Sequence, residues 1–136
     1  GLRDAGALLT GRVAAHEADG LSRLQIDAGQ LFLPRVTAAV GDQMRVRIHA
    51  KDVMLTLGEP REISALNVLP GVITDVRPGA GPGAIVKLRC GGDQLLARVT
   101  KRSVAALHLA PGVDCYAVIK TVSVAQTDVG GGATPG

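Results

Sequence analysis

The chain has 136 residues, of which 46% are hydrophobic and 20% are charged, and its mean hydropathy is +0.25. This length is enough for one ordinary domain or for two small ones of about 60 residues each, and the composition excludes a disordered chain. No run approaches the roughly 20 apolar residues of a membrane span, so we expect no direct membrane insertion. A net charge of +3, with one Phe and one Tyr, offers little to nucleic acid, so we expect no such partner.

The residue types favour short strands over helices. The chain has 18 Gly, 7 Pro and almost no aromatic residues, which is typical of many short strands joined by tight turns. Its two cysteines, Cys90 and Cys115, lie outside any zinc-binding spacing, so we expect buried, reduced thiols and no bound metal cation, as in a cytoplasmic protein. The chain begins at Gly1 without a signal peptide, and we expect it to be a piece of a longer protein.

An internal repeat divides the chain into two copies of one unit. Three segments of the first half recur in the same order in the second half, and the pairs are 9–13 with 69–73, 33–37 with 96–100, and 41–48 with 112–119. We therefore predict a first domain at 1–60 and a second at 61–125. The Gly-rich residues 126–136 have no apolar pattern and are expected to form a flexible tail.

Apolar patterning predicts short strands in both halves. In chain order these are 7–16, 21–27, 30–36, 44–50 and 53–57, then 63–76 with a bend at Pro70, 84–90, 94–99 and 115–124. Eight additional residues between Thr100 and Gly112 predict one short helix at about 101–109. Five short strands per half, with the bent strand 63–76 counted as two, favour small closed barrels. The predicted fold class is therefore all-β, with two tandem five-stranded barrels and one short helix in the second.

The predicted strand 115–124 is apolar on both faces. Its outward positions include Tyr116, Val118, Val122 and Val124, a pattern that a free barrel does not require. We therefore expect a partner to cover this face, giving a homodimer. Lys120 lies amid the same face and leaves two interpretations open. Its ammonium group either extends to water or binds an anion at the interface.

The start of the predicted helix is a second candidate for anion binding. Thr100 is a plausible N-cap, and Ser103 adds a hydroxyl beside the free main-chain N–H groups of the first turn. Most helix N-termini bind only water, so this feature is weak alone. Lys101 and Arg102 oppose the helix dipole, which is tolerable if a bound anion offsets them.

Several segments of the second half resemble the Mop or molbindin family, which is related to the TOBE domains of transport ATPases. They are Ile-Ser-Ala-Leu-Asn-Val-Leu-Pro-Gly at 63–71, Ala-Arg-Val-Thr-Lys-Arg-Ser-Val at 97–104, Leu-Ala-Pro-Gly at 109–112 and Tyr-Ala-Val-Ile-Lys at 116–120. Segments 13–17, 19–24 and 47–55 resemble the region that precedes Mop in the ATP-binding subunit of molybdate ABC importers. On this resemblance we identify the chain as the C-terminal regulatory region of such a subunit.

The resemblance implies OB-like barrels of the TOBE or Mop type that bind molybdate or tungstate between subunits, with no intrinsic cofactor. The implied oxyanion-binding residues are Ser64, Ala65, Leu66, Asn67, Thr100, Ser103 and Lys120, and the charge of Lys101 beside Thr100 makes it a further candidate. Leu66 replaces the Arg of the usual motif, so only its main-chain N–H group can be carried over. The first half lacks these motifs, and we expect no equivalent site there.

Molybdate is a fully deprotonated tetrahedral dianion at neutral pH, so its oxygens accept hydrogen bonds and donate none. We therefore expect a pocket of donors without a carboxylate. No phosphate-binding glycine motif, nucleophile motif or clustered His and carboxylate residues occurs, so we expect no catalysis in these residues.

The implied role is regulation of transport at the cytoplasmic face of the membrane. The ATPase domain would lie in the same parent chain, and the permease would be contacted only indirectly. Two alternatives remain open, a free-standing molbindin that stores molybdate and a ligand-free structural dimerisation domain.

Overall fold

The computed structural model describes residues 5–125, which form an all-β fold with one short α-helix. The strands are β1 (Gly6–His16), β2 (Leu21–Ile26), β3 (Gly29–Pro34), β4 (Gln43–His49), β5 (Val53–Thr56), β6 (Asn67–Pro78), β7 (Gly83–Cys90), β8 (Asp93–Thr100), β9 (Asp114–Ile119) and β10 (Ser123–Val124). A short 3-10 helix, Ala50–Asp52, joins β4 to β5, and α1 (Lys101–Ala106) follows β8. The strands form two curled five-stranded sheets, which confirms the predicted fold class.

Each sheet takes one strand from the other half of the chain. The first sheet has the order β10-β4-β1-β2-β3, and the second has the order β5-β9-β6-β7-β8, with antiparallel pairing throughout. Leu55 of β5 lies opposite Ala117, and Ser123 of β10 lies opposite Arg47. The prediction that 53–57 completes the first barrel is therefore wrong. The division of the chain into domains near residue 60 stays a prediction, but the hydrogen-bonded sheets cross it.

The predicted continuous strand 115–124 is two strands in different sheets. The chain leaves the second sheet after Ile119 and enters the first at Ser123. Val118 and Val122 are only 4% and 7% exposed within the single chain, and Val124 packs against the common core. The valines therefore do not need a partner to cover them, which corrects the reason for expecting a dimer through this face.

Alternation along each strand builds the core, because successive side chains point to opposite faces of a sheet. In β4, Val46 and Ile48 are fully buried whereas Arg47 between them is exposed. The side chains with the largest buried volumes come from both halves and form one cluster; among them are Leu24, Leu31, Ile48, Ile73, Leu88, Leu95 and Ile119. No helix among residues 5–125 is long and apolar enough to cross a membrane.

Both cysteines are free and buried, as predicted. Burial raises the pKa of the Cys90 thiol to about 11 and also raises the pKa of Cys115. Gly71 of β6 lies opposite Cys115, and a Cβ atom there would stand 2.7 Å from the Cys90 sulfur. Only glycine therefore fits at this position, and the two thiols are protonated core groups at neutral pH.

Hydrogen bonds between hairpin turns join the two halves. The β2–β3 turn and the β7–β8 turn exchange carboxylate contacts. Asp27 accepts from the N–H group of Gly92, and the Oδ2 atom of Asp93 accepts from that of Ala28 at 2.9 Å. This reciprocal pairing fixes the two sheets against each other at the hairpins that lie at the other end of each strand order from the exchanged strands.

Candidate functional site

A cleft of about 590 Å³ lies between β5, the end of β8, α1, the segment just before β6 and the residues that follow β9. Five of the predicted site residues line it, namely Ser64, Ala65, Thr100, Ser103 and Lys120. Leu66, Asn67 and Lys101 do not line it. The fold thus brings together three segments of sequence that were singled out separately.

The hydroxyl groups of Thr100 and Ser103 form a local network at the start of α1. Thr100 is the N-cap of this helix, as predicted, and its Oγ1 atom accepts from the Ser103 N–H group at 3.0 Å. The Thr100 hydroxyl also lies 3.1 Å from Ser103 Oγ and donates to it, which leaves the Ser103 hydrogen available to a ligand. The helix ends at Ala106, earlier than predicted, since His108 adopts a left-handed conformation with a φ of 55°.

Lys120 follows β9 and is held by its main chain. Its N–H group donates to the carbonyl oxygen of Asp52 at 2.8 Å, which fixes the start of the side chain at the cleft wall. The side chain itself is exposed. An exposed lysine side chain at the cleft wall is compatible with both interpretations of Lys120, extension of its ammonium group to water and binding of an anion.

Three charged residues of the cleft were missed in the sequence. Lys51 and Arg98 are exposed cations that line it, and the half-buried Asp52 contributes a carboxylate, contrary to the expectation of a carboxylate-free pocket. With Lys120, the formal charge of the lining is three positive and one negative, or +2. Arg98 could have been found from its place in the matched segment 97–104. Lys51 and Asp52 could not, because they reach the cleft only through the strand exchange.

Asn67 has a structural use in the fold. Its side chain is 5% exposed and binds the main chain of Phe32 in the other half. The Oδ1 atom accepts from the Phe32 N–H group at 2.7 Å, and the Nδ2 atom donates to the Phe32 carbonyl oxygen at 2.8 Å. Its buried amide is thereby satisfied without a ligand.

Three exposed apolar residues lie in the lining of the cleft or next to it in sequence. Met54 and Ile63 line it and are 62% and 45% exposed, and Leu66, next to the lining residue Ala65, is 61% exposed. Together, Met54, Ile63 and Leu66 form the apolar rim of the cleft. The described chain does not cover this surface.

The first half contains a corresponding pocket of about 760 Å³. It is lined by residues 33–38, Asp42, Gln43 and Met44, by Val124 of β10, and by Val122 just before that strand. Arg35 and Thr37 occupy the repeat positions of Arg98 and Thr100. Its charged lining residues are Arg35 and Asp42, so its formal charge is zero. Among residues 5–125, no group of three or more His, Cys, Asp or Glu side chains could hold a metal ion.

Comparisons with known proteins agree with the resemblance seen in the sequence. The Molybdenum import ATP-binding protein ModC of Mesorhizobium japonicum is 42% identical over 130 residues, which are 95% of this chain and 35% of that protein. The ModC protein of Albidiferax ferrireducens is 43% identical over 122 residues, which are 88% of this chain and 33% of that protein. The chain therefore spans about a third of the length of these relatives.

A solved structure is similar over nearly the whole fold. It is a crystal structure of the cytoplasmic molybdate-binding protein ModG with molybdate bound, with a TM-score of 0.75 and 26% sequence identity. The similarity covers 87% of this chain and 95% of the ModG chain. The TOBE domain family matches residues 63–126. Residues 63–126 of this chain therefore match the TOBE domain family, and the chain as a whole resembles the ModC proteins of molybdenum import over most of its length.

Proposed function

We propose that the chain is a regulatory region that binds molybdate or tungstate in the ATP-binding subunit of a molybdate ABC importer. The observation that carries this proposal is the convergence of Ser64, Thr100, Ser103 and Lys120 on one cleft with a formal charge of +2. The similarity to ModC over 95% of this chain supports the transporter context. ATP hydrolysis is assigned to the remaining two thirds of such a protein and not to these residues.

The chemistry of the cleft suits a tetrahedral dianion. Hydroxyl hydrogens, main-chain N–H groups and ammonium groups donate to oxygens that can only accept, and such charge-assisted hydrogen bonds are the stronger ones. The Asp52 carboxylate opposes an anion, but Lys51, Arg98 and Lys120 outnumber it. The remaining charge of +2 balances the charge of molybdate.

A second copy of the chain would complete the site. The apolar rim is exposed beside the donors, and a copy seated on it would remove both apolar surface and the cleft from water. Hydrogen bonds to the oxyanion strengthen when water is excluded. The proposed homodimer therefore uses the rim and not the valines at 118, 122 and 124, which pack within the single chain.

Regulation follows if two such regions carry ATPase domains at the cytoplasmic face of the membrane. Molybdate bound between the copies would favour one separation of the attached nucleotide-binding domains, and the permease would respond through those domains. Intracellular molybdate would then lower uptake.

One observation favours the alternative of a free-standing protein. The chain covers 95% of the ModG chain, so its fold accounts for nearly all of a protein that is described as cytoplasmic and molybdate-binding. In that case the chain would bind molybdate without coupling to transport. A ligand-free dimerisation domain is the third possibility.

Calorimetric titration with molybdate, tungstate and sulfate tests the binding. We expect saturable binding of molybdate and tungstate and weaker binding of sulfate. Light scattering should show that the chain is a dimer. No binding of any of the three anions, with a dimer retained, would favour the structural domain. In a reconstituted transporter that contains the chain, ATPase activity should fall as molybdate rises. Unchanged activity despite binding would favour the free-standing alternative.

A further inference from the structure

We infer that Lys51 contacts the oxyanion and that Lys101 does not. The inference rests on the proposed function and names a residue of the first half of the chain as part of a site that the sequence motifs confine to the second half. Lys51 lines the cleft together with Ser64, Thr100 and Lys120.

The main chain around Lys51 is fixed at the cleft. Ala50 is fully buried, and its N–H group donates to the carbonyl oxygen of Ala5 at 2.9 Å. On the other side, the Asp52 carbonyl oxygen accepts from Lys120. The two hydrogen bonds thus hold the 3-10 helix on either side of Lys51, one of them to the main chain of Lys120. Only the exposed side chain of Lys51 is free to change its position.

The charge of Lys51 is not used elsewhere in the described fold. Among residues 5–125, its ammonium group forms no ion pair, and the ion pairs found there are Arg23 with Glu17 and Arg77 with Asp75. An exposed lysine at a cleft wall can turn its ammonium group inward when an anion arrives. Its removal would halve the formal charge of the lining from +2 to +1.

Lys101 is a natural comparison, because it is also an exposed lysine beside the site. It directly follows Thr100 in the sequence, yet it does not line the cleft. Proximity in sequence favours Lys101, whereas proximity in the fold favours Lys51. Substitution of each lysine by glutamine removes the same charge and keeps a similar length.

The test is calorimetric titration of molybdate into the unmodified chain, Lys51→Gln, Lys51→Arg and Lys101→Gln. We expect Lys51→Gln to raise the Kd about 10-fold, Lys51→Arg to restore most of the affinity, and Lys101→Gln to change the Kd less than about 2-fold. The Lys51→Gln variant should also show a weaker dependence of Kd on salt concentration, which a purely structural role would not alter.

Thermal unfolding of each variant controls for damage to the fold, and equal midpoints are expected for these exposed positions. A Kd of Lys51→Gln equal to that of the unmodified chain, or an equal loss in both glutamine variants, would overturn the inference while leaving molybdate binding intact. Absence of binding in the unmodified chain would instead overturn the proposed function itself and the inference with it.

Discussion

The two clefts of this molecule occupy equivalent places in a repeated fold, yet only one has the chemistry of an anion site. Each lies beside a strand exchanged from the other half, and each is lined by a repeated Arg-Val-Thr segment, 35–37 in the first half and 98–100 in the second. After Thr37 the chain passes almost directly to Gly41, whereas α1 is inserted after Thr100.

The two clefts differ in charge as well as in the presence of the inserted helix. His49 occupies the repeat position of Lys120 and does not line the first pocket, whose charges sum to zero. The second cleft gains Lys51 and Lys120 and has a net charge of +2. The repeated barrel therefore supplies a cleft, while an inserted helix and a few cations supply the hydroxyl groups and the positive charge that would suit an anion.

The largest loss of binding is expected when the cation that distinguishes the two clefts is removed. Lys120→Ala should weaken molybdate binding by about 2–3 kcal/mol, since it would delete the proposed charge-assisted hydrogen bond from a site that the proposed second copy would cover. His49→Ala is the matched change in the first half and should leave the affinity unaltered. Equal losses of molybdate affinity for Lys120→Ala and His49→Ala in a calorimetric titration would contradict a specific contact between Lys120 and the ligand.

Asn67 tests whether a motif residue serves the fold and not the anion. Asn67→Ala leaves the main-chain groups of Phe32 without their partners and should lower the free energy of unfolding by about 2 kcal/mol. Denaturant titration measures the loss, and Leu66→Ala, at the neighbouring exposed position, is its control. Full stability combined with lost molybdate affinity would assign Asn67 to the ligand instead.

Removal of the Asp52 carboxylate should increase the difference in charge between the two clefts. Asp52→Asn takes a negative charge from the cleft wall and should tighten molybdate binding by about 1 kcal/mol, the size of a screened interaction at a few ångströms. Asp42→Asn makes the same change in the pocket of the first half and should leave the affinity for molybdate unchanged. Weaker binding in Asp52→Asn would mean that this carboxylate orients a donor.

The smallest effect is expected at the position where the usual motif arginine is missing. Leu66 is exposed outside the cleft lining, so Leu66→Ala should change the affinity by less than about 0.5 kcal/mol. Leu66→Arg adds a cation beside the site and should tighten binding slightly. A large loss in Leu66→Ala, with the dimer retained in light scattering, would instead place this side chain at a contact with the ligand.

Local patterns were sufficient to predict most of the strands and the start of the helix. Alternation in 44–50 determines which side chains of β4 are buried, and the hydroxyl of Thr100 caps α1 as its residue type favours. Both signals depend on neighbours in sequence, and the residue types alone express them. The match between the two halves likewise identified the insertion that contains α1.

Partners distant in sequence were not predictable in the same way. Any short apolar strand can complete either barrel, so the apolar pattern of 53–57 does not specify whether it pairs with β4 or with β9. The use of Asn67 is hidden for a similar reason, because its partner is the main chain of Phe32 and leaves no residue signature. Lys51 escaped notice as a consequence of the first error.

The exchanged strands also determine the order in which the chain can fold. β4 pairs with β10, so the first sheet keeps an open edge until residues 123–124 pair with β4. The other four strands of this sheet lie much earlier in the sequence. Pairings over such sequence distances slow folding and leave a strand edge open to other chains in the meantime. Amide protection measured during refolding should therefore appear in both sheets together, and early protection of the complete first sheet alone would contradict this order.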